Sequence, residues 1–519
     1  MKLLSGLRDW RNTEWGLVFL LLISLIIKIA ILSSGEVPNV DGVRYIDAAR
    51  QFAQGHFVEG LGIERMFFYP SLILALHVLV KDWVLAGQLI SLFAMVFTLI
   101  PLYLLTKDLF DKKVAFWACL AFTLSPMMNA RAVDLIRDPI FLFFVAWSLY
   151  FFYRALTVLQ CRYFFLASVS SLFALLCRIE GVFLFAVFGL VLLVLTIKKG
   201  PDRRPFLKGG AVFIGLPVIL GMVSGGVLML TTGMELTSFS RLGEFSDRLH
   251  SVMSGDFLAM YRSLYGQLKS FKNTASVGST GSLVNTARHY IPLIYLLSLA
   301  EALARNLFLL YVVPLWAGFG KRHTFNRGHW LVLLLAGVYF LVAYYFLFVH
   351  DFISKRYLLV PAMLLFPWVG LGFERIRSGI AVCRWPRMAM VLFLVIFCGI
   401  PTYKSLGDVV KPGKGNVIKV AGQWLARQPS LQKAVVACSD PRIRFYTSPE
   451  VSFVKQMENM VVAKDFSKME MIAFDNKADL LIIETSKSKR RQIPEFKHFS
   501  VLKEFIGIKN NVLIHRRKI

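Results

Sequence analysis

Long apolar runs broken by short polar turns dominate this chain. Runs at 15–33, 84–106, 114–128, 139–157, 163–177, 182–197, 206–230, 303–319, 330–349, 357–374 and 388–403 predict helices that cross a membrane, about eleven in all. The run from Phe67 to Val80 falls short of the roughly 20 residues a spanning helix needs. It is expected to lie at the interface or to re-enter, with Pro70 in its first turn. After Pro401 the pattern changes. Val417–Arg427 has the spacing of an amphipathic helix, and Ala434–Cys438, Leu480–Ile483 and Val512–Ile514 read as buried strands. The reading is a polytopic α-helical membrane protein. Residues 1–403 form the membrane domain and 404–519 a small soluble α/β domain.

Composition agrees: 56% of the 519 residues are apolar and 18% charged, too apolar for a soluble enzyme of this length. The formal charge of +27 signals cytoplasmic loops and contact with anionic lipid. Nucleic acid is not an expected partner, because no soluble stretch interleaves basic and aromatic residues. The charge also assigns sides. Basic residues collect in the N-terminus and around 107–113, 154–162, 198–208, 321–327 and 375–387, which are placed inside. Loops 34–83, 129–138, 178–181, 231–302 and 350–356 are then outside. Were Phe67–Val80 to cross, the basic loop at 107–113 would change sides. An odd number of spans puts the C-terminal domain outside.

Some features are local. The first run could be a cleaved signal peptide, but its length and the lack of a cleavage site favour an uncleaved span. Lys28 within it either snorkels or faces a polar cavity. Gly278–Ser282 reads as flexible, and Tyr290–Leu303 as a surface helix or part of the next span. The six cysteines are scattered and suggest neither disulfides nor a metal site.

The candidate chemistry lies in the outside loops. Asp41, in Pro38–Tyr45 just past the first span, is a carboxylate in a chain poor in acids, with few neutralising neighbours. A reaction that deprotonates a hydroxyl at a membrane surface needs such a group. Asp41 could equally cap a helix through Tyr45 to Gln54. Arg131, Asp134, Arg137 and Asp138 crowd one short loop. Ionisable groups at membrane depth are costly and usually functional, although salt bridges alone would also staple the loop. Asp138-Pro139 is expected to cap the following helix. Arg178-Ile179-Glu180-Gly181 is either an ion-paired turn or a substrate contact. In the next loop are His350-Asp351 and Lys355-Arg356-Tyr357. A Lys-Arg pair at a helix start suits a phosphate, with Lys355 better read as a headgroup anchor. No Walker loop, dinucleotide glycine fingerprint, HExxH or GxSxG occurs. An enzyme of this kind would take its activated substrate from the membrane.

This arrangement resembles the GT-C glycosyltransferases, especially bacterial relatives of protein O-mannosyltransferases and of the lipid A aminoarabinose transferase. The resemblance is carried by Asp41 with Tyr45 behind it, Phe68-Tyr69-Pro70, and Arg131, Asp134 and Asp138-Pro139. Arg178-Ile179-Glu180-Gly181 and Arg356-Tyr357-Leu358-Leu359-Val360-Pro361 complete it. It implies inverting transfer of a sugar from a polyprenyl-phosphate donor to a lipid, glycan or protein hydroxyl, at the outer face of a bacterial inner membrane, without cofactor or metal. Asp41 would be the general base and Arg356 the phosphate ligand. Arg131, Asp134 and Asp138 would shape the sugar and acceptor site. Arg44, Tyr45, Tyr69, Arg137, Arg178, Glu180, Lys355 and Tyr357 are further candidate contacts. Many relatives carry a second acid directly after the catalytic aspartate, where this chain has Gly42. The competing classes are a transporter or flippase of polyprenyl-linked sugars, and a membrane scaffold for a basic binding module. A transporter often shows internal repeats, and none is visible between the halves.

Overall fold

The computed structural model describes residues 15–33, 37–198, 203–232, 250–251, 253–274, 279–320, 325–350, 352, 354–382, 386–407, 416–431, 433–447, 452–453, 466–486, 490, 493–507 and 510–518. The basic N-terminus and Asp351 lie outside them.

The apolar runs form helices, because in lipid only a helix satisfies the backbone of a lone spanning segment. Among the described residues, eight helices are long and apolar enough to cross a membrane, and two bent pairs could raise this to ten. The expected eleven also included 114–128 and 163–177, which form shorter helices, Lys112–Leu124 and Cys161–Cys177. The expected span at 303–319 is one of the bent pairs: Ile291–Leu307 and Leu309–Gly318 meet at 97°. Tyr290–Leu303 therefore belongs with the element that follows it. The short run Phe68–Val80 joins Phe57–Ile63 at a 120° bend. Gly278 is outside the described residues, but Ser279–His289 is helical rather than irregular.

The helix Leu359–Ile380 runs through the middle of the bundle, with Met363, Phe366 and Trp368 fully buried. Such packing rests on dispersion and shape, since lipid offers helices no hydrophobic drive to associate. Lys28 does not snorkel. It is buried, and its ammonium donates to Ser24 Oγ at 2.8 Å and Asn129 Oδ1 at 3.0 Å. Several of the basic turns meet one another. Arg154 Nη1 lies 3.2 Å from Asp108 Oδ2, and Arg375 Nη1 donates to the carbonyls of Ala317 and Gly318 at 2.5 and 3.1 Å.

The C-terminal part is a five-stranded sheet in the order β2-β1-β3-β5-β4. Its strands are β1 (Val435–Cys438), β2 (Ser452–Phe453), β3 (Leu480–Ser486), β4 (Phe499–Ile506) and β5 (Asn510–Arg517). β1 pairs in parallel with β2 and β3, and β5 runs antiparallel to β3 and β4. The three expected strands are β1, β3 and β5. The edge strands β2 and β4 are additions. The short helix Pro441–Phe445 docks this sheet on Val40–Ala53, where Arg50 lies 5.1 Å from the Phe445 ring and 5.9 Å from that of Trp83.

Candidate functional site

Asp41 sits in the first turn of the helix Val40–Ala53 but does not cap it. Asn39 does, its Oδ1 accepting from the Gly42 amide at 2.7 Å. The Asp41 carboxylate is therefore free of the capping duty the sequence allowed it, and sits where the helix dipole favours negative charge. Asn39 Nδ2 also reaches the Leu135 carbonyl at 3.5 Å. Thus the helix start and the 131–138 loop pack on each other, and Gly42 makes this close approach feasible. A Cβ at position 42 would lie 2.9 Å from Leu135 O and 3.1 Å from Leu135 Cβ. A carboxylate side chain at this position would need the loop to move. Gly42→Ala is expected to cost about 1–3 kcal/mol despite alanine's better helix propensity. A thermal melt of the purified protein checks this, and an unchanged midpoint would show that the loop yields freely.

Asp138 begins the helix Asp138–Val158, yet it also makes no cap bond. Its carboxylate turns inward instead. Oδ1 accepts from Arg178 Nη1, while Oδ2 is buried without a hydrogen-bond partner. Arg178 is held by Glu180 as well, through Nε at 3.2 Å and Nη2 at 3.0 Å. The turn between them is a single 3₁₀ turn, Ile179–Gly181. Gly181 is required there, since a Cβ would meet the Leu175 amide nitrogen at 2.4 Å. Tyr339 donates to the Glu180 carbonyl at 3.0 Å, and the Arg178 guanidinium lies 5.2 Å from the Tyr357 ring centroid.

Arg356 closes the set. It lies in the short helical turn Lys355–Leu358 that leads into Leu359–Ile380. Its Nη1 donates to Asp41 Oδ2 at 2.5 Å and is 4.0 Å from Asp138 Oδ2. Asp138, Arg178, Glu180, Tyr339, Arg356 and Tyr357 line one narrow pocket. Phe141, Leu142, Val342, Leu359 and Val360 supply its apolar wall. Carboxylates, guanidiniums and aromatic faces around an open cleft suit a polar ligand that carries an anionic group.

The remaining candidates sort by distance from this pocket. Tyr45 and Tyr69 pack edge to face behind Asp41, with ring centroids 5.2 Å apart. Tyr69 donates to the Gly87 carbonyl at 3.1 Å and is fully buried. Burial pushes the Tyr45 phenol up to about 12, so it stays protonated. Arg137 lies over the Tyr45 ring at 5.8 Å and pairs with Glu64 at 3.3 Å. Arg131 pairs with Asp134 at 2.6 Å, and burial raises the Asp134 pKa against the opposing pull of Arg131. These two pairs brace the loop. Arg44 is exposed and donates to the Ile63 carbonyl at 3.0 Å, away from the pocket. Lys355 is exposed too, and its carbonyl accepts from Asn306. Neither lines the pocket. His350 ends the helix Arg327–His350, its ring tilted against that of Phe346 with centroids 5.1 Å apart.

Glu64 and Tyr339 were not legible as part of this constellation. Glu64 follows a mixed polar stretch, and Tyr339 sits inside an uninterrupted apolar run. An isolated acid just before the Phe67 run was the available signal for Glu64; Tyr339 left none. Among the described residues, no three His, Cys, Asp or Glu side chains group as a metal site.

Comparison with known proteins adds to this geometry. Residues 67–224 match the family model for dolichyl-phosphate-mannose-protein mannosyltransferase. That stretch holds Arg131, Asp134, Arg137, Asp138, Arg178 and Glu180, but neither Asp41 nor Arg356. No curated protein sequence matches the chain. Among solved structures, ArnT from Cupriavidus metallidurans bound to undecaprenyl phosphate is similar at a TM-score of 0.56 and 13% identity, over 96% of this chain and 97% of that one. The apo oligosaccharyltransferase of Archaeoglobus fulgidus matches at 0.56 and 12% identity, over 92% of this chain and 70% of its own. The archaeal oligosaccharyltransferase AglB, in complex with an inhibitory peptide and a dolichol-phosphate, matches at 0.50 and 12%, over 91% and 70%. The multi-pass helical bundle with a small sheet domain at its C-terminal end has the fold of these solved structures, and its residues 67–224 are similar to the mannosyltransferase family.

Proposed function

We propose that this protein transfers a sugar from a polyprenyl-phosphate donor to an acceptor hydroxyl, with inversion, at the outer face of a bacterial inner membrane. The observation that carries this reading is the contact between Asp41 and Arg356, residues from opposite ends of the membrane domain, of which Arg356 lines the pocket. One can take a proton and the other can hold a phosphate. The likeness to structures that carry undecaprenyl phosphate and a dolichol-phosphate supports a lipid-linked donor.

In this reaction the acceptor hydroxyl gives its proton to Asp41 as its oxygen attacks the anomeric carbon. The bond from that carbon to the donor phosphate breaks on the opposite face, which inverts the configuration. The polyprenyl phosphate leaves with the bonding electrons, and Arg356 holds the growing negative charge. Asp138, Glu180 and Tyr357 face the space a sugar would fill, and Arg178 keeps the two carboxylates in place. The acceptor is a hydroxyl of a lipid, glycan or protein. Arg131–Asp134 and Arg137–Glu64 act as braces rather than substrate contacts, and Lys355 as a headgroup anchor.

The test uses the purified protein in nanodiscs with radiolabelled undecaprenyl-phosphate hexoses and pentoses. The expected result is release of undecaprenyl phosphate with label moved to an acceptor. Movement of intact donor between leaflets without cleavage would instead make the protein a flippase.

The orientation follows from charge. The basic turns support a cytoplasmic N-terminus with the C-terminal sheet domain, from about residue 404, outside. A cysteine introduced at an exposed tail position such as Lys497 is expected to react with a membrane-impermeant maleimide in intact spheroplasts. Labelling only after lysis would reverse the assignment.

A further inference from the structure

We propose that Arg356 has two seats in this protein, Asp41 as in the structure and Asp138 when a lipid phosphate is bound, so that the donor itself draws Arg356 off the base. The inference rests on the donor reading above.

In the structure, Arg356 Nη1 occupies Asp41 Oδ2 at 2.5 Å. The guanidinium that would hold a donor phosphate and the carboxylate that would take a proton are thus engaged with each other. On the other side of the same nitrogen, 4.0 Å away, is Asp138 Oδ2. That oxygen is buried and has no hydrogen-bond partner. A buried carboxylate oxygen left unpaired is costly, and here one further charge-assisted bond lies about an ångström of movement away.

Mobility is distributed to match. The side chains of Arg356 and Asp41 are each 35% exposed, whereas that of Asp138 is 3% exposed. Asp138 is also fixed through Oδ1 by Arg178, which Glu180 holds in turn. Arg356 is therefore the part that can swing, and Asp138 the fixed post. A donor phosphate at the pocket mouth competes with Asp41 for the guanidinium fork. Once Arg356 turns to the phosphate, Asp138 can take one of its N–H groups and hold it there. Asp41 is released to accept the hydroxyl proton. Asp138 is then a positioning residue that acts through Arg356.

The sign of two binding changes tests this. The probe is undecaprenyl phosphate, which carries the leaving group and cannot turn over, bound at equilibrium to the full-length protein in nanodiscs. Asp41→Asn removes the competitor for Arg356 and is expected to bind the lipid tighter, on the order of threefold to tenfold. Asp138→Asn removes the second seat and is expected to bind it more weakly by a similar factor. Simple loss of a nearby negative charge would tighten anion binding in both variants, so weaker binding in Asp138→Asn is the discriminating result. Asp138→Glu keeps the carboxylate and is expected to recover at least part of the affinity. Binding by Asp41→Asn that is no tighter than wild type overturns the proposal, as does tighter binding by Asp138→Asn. So does equal weakness of Asp138→Asn and Asp138→Glu with matching losses of thermal stability, which would make Asp138 merely structural. Equal binding by wild type and Arg356→Ala would mean instead that the phosphate assignment, on which all of this depends, has failed.

Discussion

Asp41→Asn is expected to abolish sugar transfer, by a factor on the order of 10²–10⁴, while leaving the protein folded and inserted. Asparagine has the shape of aspartate but cannot take the proton of an attacking hydroxyl. The helix start does not depend on the replaced group, because Asn39 provides the cap. The side chain is 35% exposed, so losing its pair with Arg356 should cost no more than about 1 kcal/mol. Two measurements belong together: donor turnover, and a thermal melt in the same nanodiscs. Near wild-type turnover would remove Asp41 as the base. A large fall in melting temperature would instead mean that Asp41 holds the loops together.

The second large effect is expected at Arg356. Arg356→Lys should lower turnover about tenfold or more, and Arg356→Ala further. A lipid phosphate stays at the depth of the membrane surface because its polyprenyl tail stays in the bilayer, and Arg356 stands at the start of a spanning helix at that depth. The guanidinium fork can hold two phosphate oxygens at once, and it is always charged. Lysine supplies the charge without the fork. As the glycosidic bond breaks, negative charge grows on the phosphate, so the contact strengthens toward the transition state and its loss should fall on kcat. Lys355→Ala is the control. Its side chain is exposed and does not line the pocket, so its effect should be small. A crippling Lys355→Ala beside a silent Arg356→Lys would move the phosphate to the neighbouring residue.

Much of the plan of this protein is written in its apolar runs. In lipid, an uninterrupted apolar run must become a helix, so the bundle was legible with boundaries a few residues off. The three strands β1, β3 and β5 were legible because they are buried and read as short apolar runs. β4 was not, because it is an edge strand whose middle faces water, and its sequence Phe-Ser-Val-Leu-Lys-Glu-Phe-Ile shows no continuous apolar stretch. The residues of the site were legible as charges at membrane depth, where an ion is too costly to keep without use.

What the chain alone could not decide was which of these charges meet. Asp41 and Arg356 are 315 residues apart, and no local pattern pairs them. The capping assignments to Asp41 and Asp138 failed for a related reason. Asp41 lost the cap to Asn39 because the Leu135 loop packs against the helix start, and Asp138 turned inward because Arg178 waits there. Both outcomes depend on a partner from a distant segment. Arg44 was a candidate contact like its neighbour Tyr45, yet its side chain is exposed and donates to the Ile63 carbonyl instead. The sequence by itself determined a membrane bundle with a sheet domain and a short supply of candidate charges. Only the tertiary structure decided which of them share a pocket, because contact between distant segments is set by packing and not by local propensity.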